Sequence, residues 1–221
     1  RGLEAARRLL AEQRGIRPLV RLVLAVFRHR GAWRAVFGSA RLLRATGVAS
    51  LLASSRRFGM AMLAATAPAR RPASRRPLPP ASGETVALFR GCVMDALFDH
   101  VHGATRRTLV ANGYRVIEVP GQVCCGALHD HAGDPRSAAE LARQNLQAFG
   151  EQADYIAVNS AGCGALLKDY GHLVPTDAAR SFAAKVRDVS ELLAARGPRA
   201  GAALALDVAY ESQHGQEIND W

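Results

Sequence analysis

Cys92, the adjacent pair Cys124-Cys125, and Cys163 are the only cysteines of the chain, spaced C-x31-CC-x37-C. Each falls where a run of strand character gives out: Phe89-Arg90-Gly91-Cys92, Val123-Cys124-Cys125-Gly126, and Asn159-Ser160-Ala161-Gly162-Cys163-Gly164. In a parallel α/β layout the loops after strand C-termini share one edge of the sheet, so cysteines far apart in sequence converge there. Four soft thiolates at one place suit an iron–sulfur cluster or zinc. The alternatives are two disulfides, or structural or redox thiols. Adjacent cysteines bridge each other only with an unusual peptide geometry, and a chain without a secretory signal is kept reduced. Cys163 begins a predicted short helix whose N-terminal dipole favours a thiolate, and Cys92 also precedes a helix. Gly91, Gly126, Gly162 and Gly164 are candidate cofactor-contact positions. Glycine permits a tight backbone close to a bulky inorganic core, and its N–H can donate to cluster sulfurs.

Other titratable residues near these cysteines read more plainly. His129, His131 and His172 are expected to be surface or hydrogen-bonding residues rather than ligands, although histidine replaces cysteine in some clusters. His100 and His102 open a helix and are expected to face solvent or to back the ligands. Asp130 and Asp134 read as turn and cap residues. There is no nucleophile elbow, Walker loop or dinucleotide fingerprint, and Gly162-Cys163-Gly164 is not a GxGxxG.

The elements that must position the cysteines alternate. Strands are expected over 85–89, 114–119, 154–159 and 204–210. Helices are expected over 99–112, 135–149, from Cys163 through Leu167, 176–186 and 190–196. Gly113 is a natural helix stop, and Asp134-Pro135 is a favoured start. Repeated βα units imply an α/β fold with a parallel sheet and right-handed crossovers. Before it, residues 3–65 read as two or three amphipathic helices with Leu19, Val20, Val23, Val26 and Phe27 on one side. The expected organisation is a basic helical segment (1–66), a Pro/Arg-rich linker (67–84), a cysteine-rich α/β domain (85–210) and a tail (211–221).

Charge separates the two halves. Residues 1–90 carry 18 Arg and 3 acidic residues, whereas residues 91–221 carry 11 basic and 16 acidic residues, so a net charge of +10 hides +15 beside −5. The basic helices could pack on the neighbouring domain, dock a partner, or rest on an anionic membrane surface. Lys168 and Lys185 are the only lysines. With neither stacking aromatics nor zinc-finger spacing, the Arg bias does not read as nucleic-acid binding. The longest apolar run near the start, residues 22–27, is far short of a membrane span. The chain lacks an initiator Met and opens inside a predicted helix, so a fragment is expected.

The run GCVMDALFDHVHGATRRTLVANGYRVIEVPGQVCCGALHDHAGD, followed by NSAGCGALLKDYGHL, resembles the first cysteine-rich repeat of the CCG-domain family. CCGALH and AGCGALLKDYGHL are most similar to its glycolate oxidase iron–sulfur subunit branch. The resemblance covers roughly residues 85–175. It implies Cys92, Cys124, Cys125 and Cys163 as ligands of an iron–sulfur cluster, of the four-iron four-sulfur (4Fe-4S) type. It also implies flavin-containing glycolate oxidase subunits as partners, with FAD on the partner and no catalytic residue on this chain. The setting implied is cytoplasmic, with peripheral contact at the inner membrane. A heterodisulfide reductase-like thiol/disulfide module, or a non-catalytic structural fragment, is the alternative. Three departures stand out. Cys163 is followed by Gly164-Ala165-Leu166, so the last cysteine of the CxxC that often closes the repeat in the wider family is absent; no CxxCxxCxxxCP run is present, and Tyr210 is not followed by the second repeat's YHDxCH.

Overall fold

The structure, a computed structural model, describes residues 2–53, 58–67 and 83–197. Its centre is a four-stranded, all-parallel sheet: β1 (Thr85–Phe89), β2 (Arg115–Glu118), β3 (Tyr155–Val158) and β4 (Val186–Asp188), in the order β2-β1-β3-β4. The expected α/β class is the one the chain adopts. All five residues of β1 are buried, as a central strand covered on both faces requires, whereas Arg115 and Glu118 of edge strand β2 are exposed. Alternation along β1 sends Ala87 and Phe89 into one core with Ile156 and Val158. Val86 and Leu88 enter a second core with Leu109, Tyr114 and Leu192.

Among the described residues five helices precede the sheet: α1 (Gly2–Arg14), α2 (Pro18–Arg28), α3 (Arg30–Ala45), α4 (Val48–Ala53) and α5 (Phe58–Ala65). Two or three were expected. The extra breaks fall at Gly15 and Gly47, both at positive φ, and at His29, whose backbone is extended. Among the described residues eight helices follow the sheet's first strand: α6 (Val93–Leu97), α7 (Asp99–Ala111), α8 (Ala127–His131), α9 (Pro135–Phe149), α10 (Ala161–Lys168), α11 (Tyr170–Leu173), α12 (Asp177–Lys185) and α13 (Val189–Arg196). Helix α9 starts as its sequence predicts, with Pro135 at its first position and the Asp134 carboxylate accepting from Ser137 N at 3.1 Å.

One strand was not expected. It is β4, at 186–188, directly after α12. The expected strand at 204–210 lies outside the described residues, as do residues 68–82 of the expected linker and the 211–221 tail. A three-residue strand with one fully buried side chain, Val186, offers no alternation to read.

The helical segment shares the core of the α/β unit. Trp33 of α3 is 1% exposed and belongs to the same buried cluster as Phe89, Cys92 and Cys125, with Val26, Phe27 and Phe37 packed against it. Arg8 reaches Asp130 at 2.7 Å, and Arg28 reaches Glu140 at 2.7 Å, joining basic helices to acidic positions of the second half.

Candidate metal centre

Strand order puts the four cysteines at one place. The chain leaves β1 for β2 on one side and then crosses to β3 on the other, so a crevice opens between the C-terminal ends of β1 and β3. Cys92 follows β1 at the start of α6, Cys124-Cys125 follow β2 just ahead of α8, and Cys163 follows β3 in the first turn of α10. Their sulfurs meet in two pairs, Cys92 Sγ to Cys124 Sγ at 3.5 Å and Cys125 Sγ to Cys163 Sγ at 3.2 Å. All four are free, three are buried, and Cys163 is partly exposed.

The electrostatics of the quartet follow from these pairs. Thiol donation from Cys125 and Cys92 pulls Cys124 down to about 3. Donation from Cys125 likewise lowers Cys163. The donors move the other way: hydrogen bonding to Cys124 and burial raise Cys92, and hydrogen bonding to Cys124 and Cys163 raises Cys125. Cys124 and Cys163 are thus shifted toward thiolate and Cys92 and Cys125 away from it, within the softest donor set a protein offers. Among the described residues no three His, Cys, Asp or Glu side chains surround one point that would seat a single metal ion. In a polynuclear cluster each cysteine binds its own iron, and ligands need not converge on one point.

A set of buried polar side chains fixes the cysteine turns. Gln122 Oε1 accepts from Arg90 N at 2.8 Å, while its Nε2 donates to Leu88 O at 3.2 Å and Val119 O at 3.0 Å, tying the turn after β1 to the loop after β2. Asn145, fully buried on α9, accepts from Val123 N at 2.9 Å and donates to Cys124 O at 3.1 Å and Tyr170 Oη at 3.1 Å. Tyr170 in turn donates to Cys125 O at 2.8 Å. Both carbonyls of the vicinal pair are therefore held. Asn159 Nδ2 donates to His102 Nδ1 at 3.2 Å, which leaves the proton on Nε2 to donate to Arg90 O at 3.0 Å. This links the turn carrying Cys92 to the one carrying Cys163.

Sequence reasoning missed Gln122, Asn145, Tyr170 and Asn159. One signal was readable: Asn145 interrupts the inward stripe Leu141, Ala142 and Phe149 of α9, where a polar residue needs buried partners. His102 is buried and bonded between two turns, whereas His100, His131 and His172 are exposed. His129 is fully buried, and neither ring nitrogen has a partner among the described residues.

The four candidate glycines differ. Gly91 turns at φ 66°, and a Cβ there would come to 4.0 Å from Cys163 Sγ. Gly126 adopts φ 95° directly after the vicinal pair, and a Cβ would meet Ala138 Cα and O at 3.2 Å. A Cβ at Gly164 would meet Val158 Cγ1 at 3.1 Å, whereas Gly162 faces open space.

Residues 86–168 match the family model described as "Cysteine-rich domain" (CCG), a match that spans the whole cysteine quartet. Over 114 residues the chain is 40% identical to a probable glycolate oxidase iron–sulfur subunit of Bacillus subtilis, covering 49% of this chain and 26% of the relative. It is 30% identical over 164 residues to the glycolate oxidase iron–sulfur subunit of Escherichia coli, covering 65% and 39% respectively. Lactate utilization protein A of Geobacillus kaustophilus is 33% identical over 113 residues, covering 49% and 47%. The chain thus spans less than half the length of each of these relatives. No solved structure matches.

Proposed function

We propose that this chain, whose residues 86–168 match the CCG cysteine-rich domain, binds an iron–sulfur cluster through Cys92, Cys124, Cys125 and Cys163 and serves as an electron-transfer module. One observation carries the reading: four free sulfurs from three successive βα turns lie in pairs 3.2 and 3.5 Å apart at the crevice of the sheet. Four thiols match the four irons of a 4Fe-4S cluster, one each. Such a cluster, when bound, supplies a one-electron carrier.

The residues of the chain do the rest. Hydrogen bonding with neighbouring cysteines shifts Cys124 and Cys163 toward the thiolate form that ligation requires. Burial of Cys92, Cys124 and Cys125 keeps water from the sulfurs. Asn145 and Tyr170 hold the vicinal carbonyls, which fixes the directions in which the two side chains leave the backbone.

Names of relatives support the finer reading. The electrons come from a flavoprotein partner, with FAD on that partner, that oxidises a small 2-hydroxy acid such as glycolate. The setting is the cytoplasm, where thiols stay reduced, with peripheral contact at the inner membrane through the basic helices. No helix among the described residues is long and apolar enough to cross a membrane.

Anaerobic reconstitution with iron and sulfide tests the proposal. The expected result is a broad visible absorption that dithionite bleaches, lost in Cys124→Ala and Cys163→Ala. Full cluster content in both variants would overturn the ligand assignment, and no absorption in the unaltered chain would overturn cluster binding.

A further inference from the structure

A cavity of about 350 Å3 opens between the first turn of α3 and the loops that follow β1 and β2, apart from the cysteine quartet. Arg30, Trp33 and Arg34 line one side, and Gly91 and Gln122 line the other. Its acidic lining residues, Asp95 and Glu118, share one guanidinium. Arg90 binds Asp95 at 2.6 Å through Nε and Glu118 at 3.2 Å through Nη1, and pairs with Asp99 as well. Arg30 and Arg34 have no carboxylate partner among the described residues, and the guanidiniums of Arg30, Arg34 and Arg90 against the carboxylates of Asp95 and Glu118 leave the lining with a net positive charge.

Three further features favour a negative ligand. The first is that Trp33, 1% exposed, has an indole Nε1 without an acceptor. The second is that Arg30 Nε is buried and equally without one. A buried N–H with nothing to donate to is a standing cost that a ligand oxygen removes. The third is that α3, a 16-residue helix, begins here with no side-chain cap and no acidic residue in its first turn, so the positive end of its dipole is uncompensated.

We propose that this cavity binds a small oxyanion, a carboxylate or phosphate group, held by the guanidiniums of Arg30 and Arg34 and the Trp33 indole N–H. Guanidinium forks match the paired oxygens of either group. The volume suits a small metabolite or one end of a larger one. Gly91 belongs both to the cavity wall and to the turn that presents Cys92, so the ligand lies beside the quartet. The site stands on unmatched donors and not on the cluster reading, and its test uses the chain without added iron.

Trp33 and Trp221 are the only tryptophans, so Trp221→Phe leaves Trp33 as the sole indole reporter. The expected result is a saturable change in Trp33 emission on titration with sodium acetate or sodium phosphate, absent with sodium chloride at equal ionic strength. Saturation by acetate alone identifies a carboxylate ligand, and saturation by phosphate alone a phosphate ligand; either supports the site. Arg34→Gln, at an exposed position, should weaken the binding at least tenfold while leaving the urea midpoint unchanged. Calorimetric titration of the same samples detects binding that leaves the emission unaltered. No saturable heat or emission change with either anion, or an unchanged Kd in Arg34→Gln, would overturn the proposal.

Discussion

Asn145 shows how much one buried amide can fix. It satisfies three groups at once, including the carbonyl of Cys124 and the hydroxyl that holds Cys125. Asn145→Ala strands those groups without water, at a cost of about 1–3 kcal/mol for each group left unsatisfied. A lower urea midpoint is expected, while the exposed neighbour Gln147→Ala stays within about 0.5 kcal/mol of the parent. His102 gives the centre a pH dependence. Burial lowers its pKa below the ordinary 6.5, so the neutral ring is the form that fits between Arg90 O and Asn159. Below about 6.5 the unfolded chain binds the proton that the folded chain refuses. Its contribution is therefore complete above about 6.5 and is lost as pH falls toward the folded value. His129, also lowered by burial, acts with the same sign. Urea midpoints measured from about pH 7.5 to 5.5 should fall, and His102→Asn should flatten part of that fall. Midpoints independent of pH across that range would contradict the assignment of neutral rings.

At the scale of elements, the vicinal cysteines depend on how α8 begins. Gly126 stands between Cys125 and that helix at φ 95°, against the backbone of α9 at Ala138. Gly126→Ala places a Cβ in a left-handed conformation and within 3.2 Å of that backbone. The conformational part alone costs about 1–2 kcal/mol. The expected outcome is a lower unfolding temperature and reduced cluster content after reconstitution, whereas Gly162→Ala, facing open space, changes neither. The elements that the sequence disclosed best have local causes. Helix α9 has Asp134-Pro135 at its start and an apolar stripe along its length, and β1 is a clean apolar run. Strand β4 and the short helices α6, α8 and α11 were not legible, because three to five residues carry less than two periods of any pattern.

For the whole molecule, the basic helices α2 and α3 and the sheet share one core. Trp33 lies in the same core as Phe89, Cys92 and Cys125, and Arg8 and Arg28 pair with Asp130 and Glu140. In the Trp221→Phe background, urea unfolding followed by Trp33 emission and by far-ultraviolet circular dichroism should give coincident curves. An earlier fluorescence transition would show that the helices detach before the sheet melts. The charge contrast read from sequence, +15 beside −5, is in part this packing. It leaves Arg30 and Arg34 unmatched around the α3 cavity.

By itself the sequence determined the strands and helices with strong local signals, the parallel class of the sheet, and the four cysteines as one candidate donor set. These follow from periodicity, capping chemistry and residue type, which are properties of neighbouring positions. Tertiary structure alone decided which cysteine meets which, that Asn145, Tyr170, Gln122 and the His102–Asn159 pair hold the turns, and that Trp33 joins the core. Such contacts join residues 20 to more than 100 positions apart. Strand order and packing choose them among many partners of the same chemistry, and no spacing along the chain records that choice.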